Sequence, residues 1–128
     1  MLDHIGYAVS NLKLSRTFYE KALKPLGIKV VMEVTPEMTG TDDSHLGFGT
    51  DRPFFWIGTG NRPSKSLHVA FAAESRKKVE EFHAAALAAG GKDNGKPGVR
   101  PHYHENYYGA FVLDPDGNNI EAVCHRPE

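Results

Sequence analysis

With 128 residues, 40% of them hydrophobic and 24% charged, the chain has the make-up of one soluble globular domain, long enough to bury on the order of 70% of its unfolded surface. Fifteen basic and sixteen acidic residues, interspersed, give a net charge of −1, which argues against a nucleic-acid or anionic-membrane surface. No apolar run approaches the ~20 residues of a membrane span, the N-terminus lacks a signal-peptide pattern, and the lone Cys124 has no partner for a disulfide, so a cytoplasmic protein is expected.

Leu2 to Val9 alternates as a half-buried strand, with Ile5, Tyr7 and Val9 on one face and His4, Gly6 and Ala8 on the other. Ser10 and Asn11 offer an N-cap for a helix from about Leu12 to Lys24, its apolar stripe being Leu14, Phe18, Tyr19, Ala22 and Leu23. Pro25 and Gly27 end it. Ile28 to Thr35 reads as a strand, Pro36 to Asp43 as a loop, and Leu46 to Thr50 and Phe54 to Gly58 as two further strands. The polar segment Asn61-Arg62-Pro63-Ser64 then reads as a junction between two modules.

The second half repeats this order. Leu67 to Ala73 is a strand with Leu67, Val69 and Phe71 on one face and His68, Ala70 and Ala72 on the other. Ser75 caps a helix to about Ala89, with Val79, Phe82, Ala86 and Leu87 as its stripe and Gly90-Gly91 as its end. Lys92 to Pro101 reads as a Gly/Pro-rich connection with a short edge strand near Val99. Ala110 to Leu113 and Asn119 to Cys124 form a hairpin around Asp114-Pro115-Asp116-Gly117, and Cys124 reads as a small apolar filler. The expected fold is a single α+β domain over residues 1–128, with a mainly antiparallel sheet and two βαβββ modules, one at about 1–60 and one at about 66–126.

A gapless shift of 64 residues exposes the duplication, placing His4 on His68, Ile5 on Val69, Phe18 on Phe82, Ala22 on Ala86 and Gly27 on Gly91. Each lead strand thus carries a histidine on a face of small residues, which leaves a hollow above the sheet. On the last strand Ile120 and Ala122 face the apolar side, so Glu121 faces the hollow, where an ionised carboxylate is costly unless paired or bound to a metal. Two imidazoles and one carboxylate are a facial metal-binding set that leaves coordination positions open, with Fe(II), Mn(II), Zn(II) and Ni(II) as candidates. The plainer alternative is that each histidine is a hydrogen-bonded structural residue. Pro101 to Gly109 adds His102, His104, Tyr103, Tyr107 and Tyr108, read as pocket lining, with His102 or His104 as a general acid or base or as a further ligand. His45, His83 and His125 are assigned structural roles.

The segments Leu2-Asp3-His4-Ile5-Gly6-Tyr7-Ala8-Val9, Leu67-His68-Val69-Ala70-Phe71 and Asp114-Pro115-Asp116-Gly117-Asn118-Asn119-Ile120-Glu121 resemble the vicinal-oxygen-chelate superfamily, which includes glyoxalase I, bleomycin-resistance proteins and extradiol dioxygenases. The resemblance implies paired βαβββ modules around a divalent metal, usually a homodimer, a small-molecule substrate, and His4, His68 and Glu121 as ligands. It also implies a fourth ligand, Glu or Gln, on the last strand of the first module. That strand, Phe54-Phe55-Trp56-Ile57-Gly58, offers an aromatic residue there, Trp56, a departure that counts against glyoxalase I chemistry. The expectation is a small metal-dependent lyase or dioxygenase, with Glu121, His102 and His104 in catalysis and Trp56, Tyr103, Tyr107 and Tyr108 on the substrate. The alternative is a non-catalytic binding protein of the bleomycin-resistance type that sequesters an aromatic compound.

Overall fold

The structure, a computed structural model, describes residues 1–63 and 65–128; the Ser64 end of the expected junction lies outside the described residues. The first unit runs β1 (Ile5–Ala8), α1 (Leu12–Leu23), β2 (Lys29–Val34), α2 (Pro36–Thr39), β3 (His45–Gly49) and β4 (Pro53–Gly58). The second runs β5 (His68–Ala72), α3 (Arg76–Ala88), β6 (Lys92–Val99), β7 (Tyr108–Leu113) and β8 (Asn119–Cys124). Each unit folds into a four-stranded mixed sheet, ordered β1-β4-β3-β2 and β5-β8-β7-β6. In both, the lead strand runs parallel to the last strand of its unit while the other neighbours are antiparallel. The chain therefore has the α+β, paired βαβββ architecture.

The helices begin where short polar side chains satisfy free N–H groups: Asn11 accepts from Leu14 N and Ser75 from Lys78 N. Their apolar faces merge with the inner faces of both sheets into one core that includes Phe18, Tyr19, Ala22, Phe55, Ile57, Phe71, Phe82, Val112 and Ile120. Burying each large side chain of this kind contributes roughly 1.5–3 kcal/mol. Edge-on contacts of Phe55 with Tyr19 at 5.0 Å and with Phe71 at 5.2 Å carry the packing from one unit to the other. A buried polar chain does the same, because Tyr19 Oη lies 2.9 Å from Tyr7 Oη and donates to Asp114 Oδ2 at 2.5 Å. Asp114 also accepts from the Asp116 and Asn118 backbone N–H groups and from Asn118 Nδ2. The Asp-Pro-Asp-Gly-Asn turn is thus a clasp between units as well as a hairpin.

Four expectations change. Leu14 is 54% exposed and Leu87 38%, and the buried stripes instead include Ser15 and His83. Each helix is rolled so that a polar tip meets an acid, Tyr19 on Asp114 and His83 Nε2 on Asp93 Oδ1 at 3.0 Å. The loop at Pro36 contains the single turn α2, with Pro36 at its first position, where a missing N–H costs nothing. The segment from Lys92 is a full eight-residue strand, not a connection: it lies at a sheet edge, so Pro97 interrupts no inner ladder, and register shifts between Asp93 and Gly98 absorb its irregularities. No helix is long and apolar enough to cross a membrane among the described residues. Cys124 is a free, fully buried thiol.

Candidate functional site

Each sheet spends one face on the core and leaves the other open. On the second sheet the register places Ala70, Glu121 and Phe111 side by side on the open face. Glu121 is only 1% exposed although it lies on that face, because Tyr107 covers it and donates its hydroxyl proton to Oε2. Gly109 makes the contact possible: a Cβ there would lie 3.0 Å from Glu121 Oε2 and 3.2 Å from the Tyr107 ring. Burial first, then the hydrogen bond to Glu121 and its charge, push the Tyr107 hydroxyl far above the ordinary phenol range, so its proton stays in place.

His68 meets the other carboxylate oxygen, with Nε2 3.2 Å from Glu121 Oε1. Its Nδ1 lies 2.9 Å from the Asn119 carbonyl oxygen, so Nδ1 carries the hydrogen and a neutral imidazole turns the lone pair of Nε2 toward Glu121. Two lone pairs facing each other need a proton or a metal ion between them. Ligands about 2.0–2.2 Å from a common ion stand roughly 3.0–3.5 Å apart, so the observed spacing suits either. Metal-binding histidines are commonly fixed through the far nitrogen in this way, by a backbone carbonyl that sets the tautomer and aims the ring. The pair therefore supplies two of the donors that a divalent cation takes.

His4 precedes β1 on the other sheet. Its Nδ1 lies 2.7 Å from Asp3 Oδ1, and the pair is exposed. His4 and His68 both line a cleft of about 430 Å³ between β1 and β5, whose lining does not include Glu121. Among the described residues no three His, Cys, Asp or Glu side chains are grouped so as to hold a metal ion within one copy. The structure brings His68 and Glu121 into contact, while His4 shares a cleft with His68 and pairs only with Asp3 among the described residues.

On the first sheet Gly6, Trp56 and Gly47 occupy the register positions that Ala70, Glu121 and Phe111 hold on the second. Trp56 is thus the positional counterpart of Glu121. It lines a cleft of about 700 Å³ with His4, Arg52 and His45. Sequence reasoning gave His45 a structural role, but His45-Leu46-Gly47-Phe48-Gly49 carries the same signal used for His4 and His68, a histidine on a face of small residues.

The aromatic loop divides. Tyr103 is 62% exposed, with its ring 5.0 Å from Tyr107 and 4.2 Å from His102. His104 lies 5.9 Å from His125, and no hydrogen bond or ion pair joins His102 or His104 to His68 or Glu121 among the described residues. Tyr108 points the opposite way from Tyr107, packing against the core and donating to Glu80 Oε2 on α3 at 2.6 Å. Glu80 on α3 is thereby tied to the second sheet. Burial, that bond and the Glu80 charge push the Tyr108 hydroxyl up to about 12.

A family model described as the glyoxalase/bleomycin resistance protein/dioxygenase superfamily matches residues 1–122. The chain is similar to a glyoxalase/bleomycin resistance protein from Albidiferax ferrireducens, with 30% identity over 99% of each chain and a TM-score of 0.78. At 16% identity it shares the fold of a glyoxylase/bleomycin resistance protein/dioxygenase domain from Frankia, covering 98% of each chain with a TM-score of 0.73. A glyoxalase I variant from Zea mays is 23% identical with a TM-score of 0.71; 95% of this chain covers 46% of that one. No curated protein matches.

Proposed function

The chain belongs to the glyoxalase/bleomycin resistance protein/dioxygenase superfamily, and we propose that within it the chain is a small metal-dependent enzyme acting on a substrate with two neighbouring oxygens. The observation that carries this reading is the approach of His68 Nε2 to Glu121 Oε1 at 3.2 Å, with His68 Nδ1 anchored on a backbone carbonyl. His68 and Glu121 would hold a divalent ion there, which would supply Lewis-acid stabilisation of an enolate- or catecholate-like oxygen. The Asn119 carbonyl fixes the His68 tautomer and aims Nε2. Tyr107 engages Glu121 Oε2, so the carboxylate presents Oε1 alone. The exposed imidazoles of His102 and His104, on the loop that carries Tyr107, are the groups we assign to proton exchange with substrate.

His4 completes the ligand set from a second copy. The edges β1 and β5 carry unpaired backbone groups, and each sheet leaves its outer face open while its inner face is spent on the shared core. A homodimer that sets the first sheet of one copy against the second sheet of its partner closes both open faces and forms two equivalent sites by two-fold symmetry. A cytoplasmic site of action, where Cys124 stays reduced, accompanies this reading.

Elemental analysis of protein purified without chelators, together with sedimentation, tests it. The expected result is a dimer with one divalent ion per chain, lost in His4→Ala, His68→Ala and Glu121→Gln. Full metal content in His68→Ala rejects the ligand assignment. A second reading, a non-catalytic binding protein of the bleomycin-resistance type, is favoured by Trp56 standing at the position corresponding to Glu121. It predicts small-molecule affinity that chelators leave unchanged.

A further inference from the structure

The cleft over the first sheet is built around one indole. Trp56 stands in register between Gly6 on β1 and Gly47 on β3. A Cβ at Gly47 would fall 2.9 Å from indole Cζ2 and Cη2, and one at Gly6 would fall 3.0 Å from Trp56 Cβ. The two glycines let the ring settle against bare backbone, and the half-buried indole still lines about 700 Å³ of open volume with the apolar side chains of Val34 and Pro53.

Charge in the cleft is equally specific. The Arg52 guanidinium makes no hydrogen bond or ion pair among the described residues, whereas Arg16 and Arg62 pair with acids and Arg100 with carbonyls. The one acid in the lining, Asp3, is engaged by His4 at 2.7 Å. An unpaired guanidinium lining the same cleft as an aromatic plane is a fork for the carboxylate of a ring-bearing ligand.

We propose that this cleft binds a flat aromatic ring carrying a carboxylate, the ring stacked on Trp56 and the acid forked by Arg52. The inference deepens the metal reading by naming its substrate class, an aromatic acid whose neighbouring ring oxygens would meet the metal. The stacking itself stands without the metal.

Trp56 is the only tryptophan, so its fluorescence reports on this cleft alone. Four probes separate the elements of the proposal: benzoate, 3,4-dihydroxybenzoate, cyclohexanecarboxylate and benzyl alcohol, first in the presence of a chelator. Benzoate and 3,4-dihydroxybenzoate should perturb the emission saturably, with the other two about tenfold weaker. Arg52→Gln, a change at an exposed turn, should weaken benzoate about tenfold and leave benzyl alcohol unaffected. Equal binding of all four probes, binding of none, or an Arg52→Gln protein with undiminished benzoate affinity overturns the proposal. Mn(II) should then tighten 3,4-dihydroxybenzoate selectively, and His68→Ala should abolish that gain. If the tightening is missing while benzoate still binds, the metal reading fails and the aromatic-acid site stands. If metal binding depends on His68 but benzoate does not bind, the reverse holds.

Discussion

The two modules share a scaffold and differ in what they place on it. At the position where the second sheet has Glu121, the first has Trp56. Where His68 is anchored on the Asn119 carbonyl and faces Glu121, His4 is exposed and held by its neighbour Asp3. The second module has a carboxylate with both oxygens engaged, and the first has a flat apolar plane with a free guanidinium nearby. Duplication kept the backbone geometry and divided the side chains, giving one half a facing imidazole and carboxylate and the other an indole set between two glycines. The helices show the same division, because equivalent positions 64 residues apart carry Tyr19 and His83, and each ties its helix to an acid.

The Tyr19 tie is the more consequential, because Asp114 is buried and collects four donors, Tyr19 across the module boundary and three from its own turn. Asp114→Ala would leave several of them unsatisfied and should cost about 3–5 kcal/mol, measured by guanidinium unfolding. Asp93→Asn, which weakens the exposed counterpart tie, should cost far less. Comparable losses would show that the modules are fastened equally.

Metal affinity sharpens the comparison next. Tyr107→Phe keeps the ring over Glu121 but removes the bond to Oε2, and should weaken a divalent ion about 10–100-fold without changing the folded far-UV spectrum. Trp56→Phe, at the equivalent strand position in the other module, should leave metal affinity unchanged. If the two variants behave alike, the division of labour is wrong.

The two helix ties should also fail at opposite ends of the pH scale. Burial, and the charges of Tyr7 and Asp114, raise the Tyr19 hydroxyl well above 10.0. The folded state therefore holds a proton that the unfolded chain releases, and stability present below pH 10.0 is lost as pH climbs past it. The His83 hydrogen bond, then the Gly95 N–H, lower the Asp93 carboxyl from 3.8. That contribution is present above pH 3.8 and is lost as pH falls through the folded value. Unfolding midpoints across pH should show Tyr19→Phe flattening part of the alkaline limb and Asp93→Asn the acid limb, each leaving the other limb unchanged.

Much of the fold was legible because local rules and tertiary demands agree. The strict alternation around His4 and His68 identifies the two lead strands, and Asn11 and Ser75 cap the two helices. Legibility failed where a distant partner decided. Nothing local says that α1 should roll Leu14 outward, since the reason is Asp114, 95 residues from Tyr19. β6 was obscured because Gly95, Pro97 and Gly98 are poor strand formers, and only its edge position makes them tolerable. At the site, the small-residue face was a usable signal for His45 as well, but the cover that Tyr107 gives Glu121 depends on strand pairing that sequence spacing does not reveal.

The smallest expected effect concerns a mismatch between equivalent helix positions. Ser15 and Val79 are 64 residues apart, and both are fully buried against the common core. Val79 suits that setting, whereas the Ser15 hydroxyl has no hydrogen-bond partner among the described residues. An unpaired buried hydroxyl carries a desolvation penalty, and serine is also a poorer helix former than alanine. Ser15→Ala should therefore stabilise the protein, by about 0.5–1.5 kcal/mol after allowing for lost contacts. Ser15→Val, which copies the second module, should gain less, because a β-branched residue loses rotamer freedom in a helix and the added methyl must find space. Thermal unfolding of the two variants ranks them. If Ser15→Ala is destabilised, the hydroxyl has a partner in solution, and α1 is as fully satisfied at this position as α3.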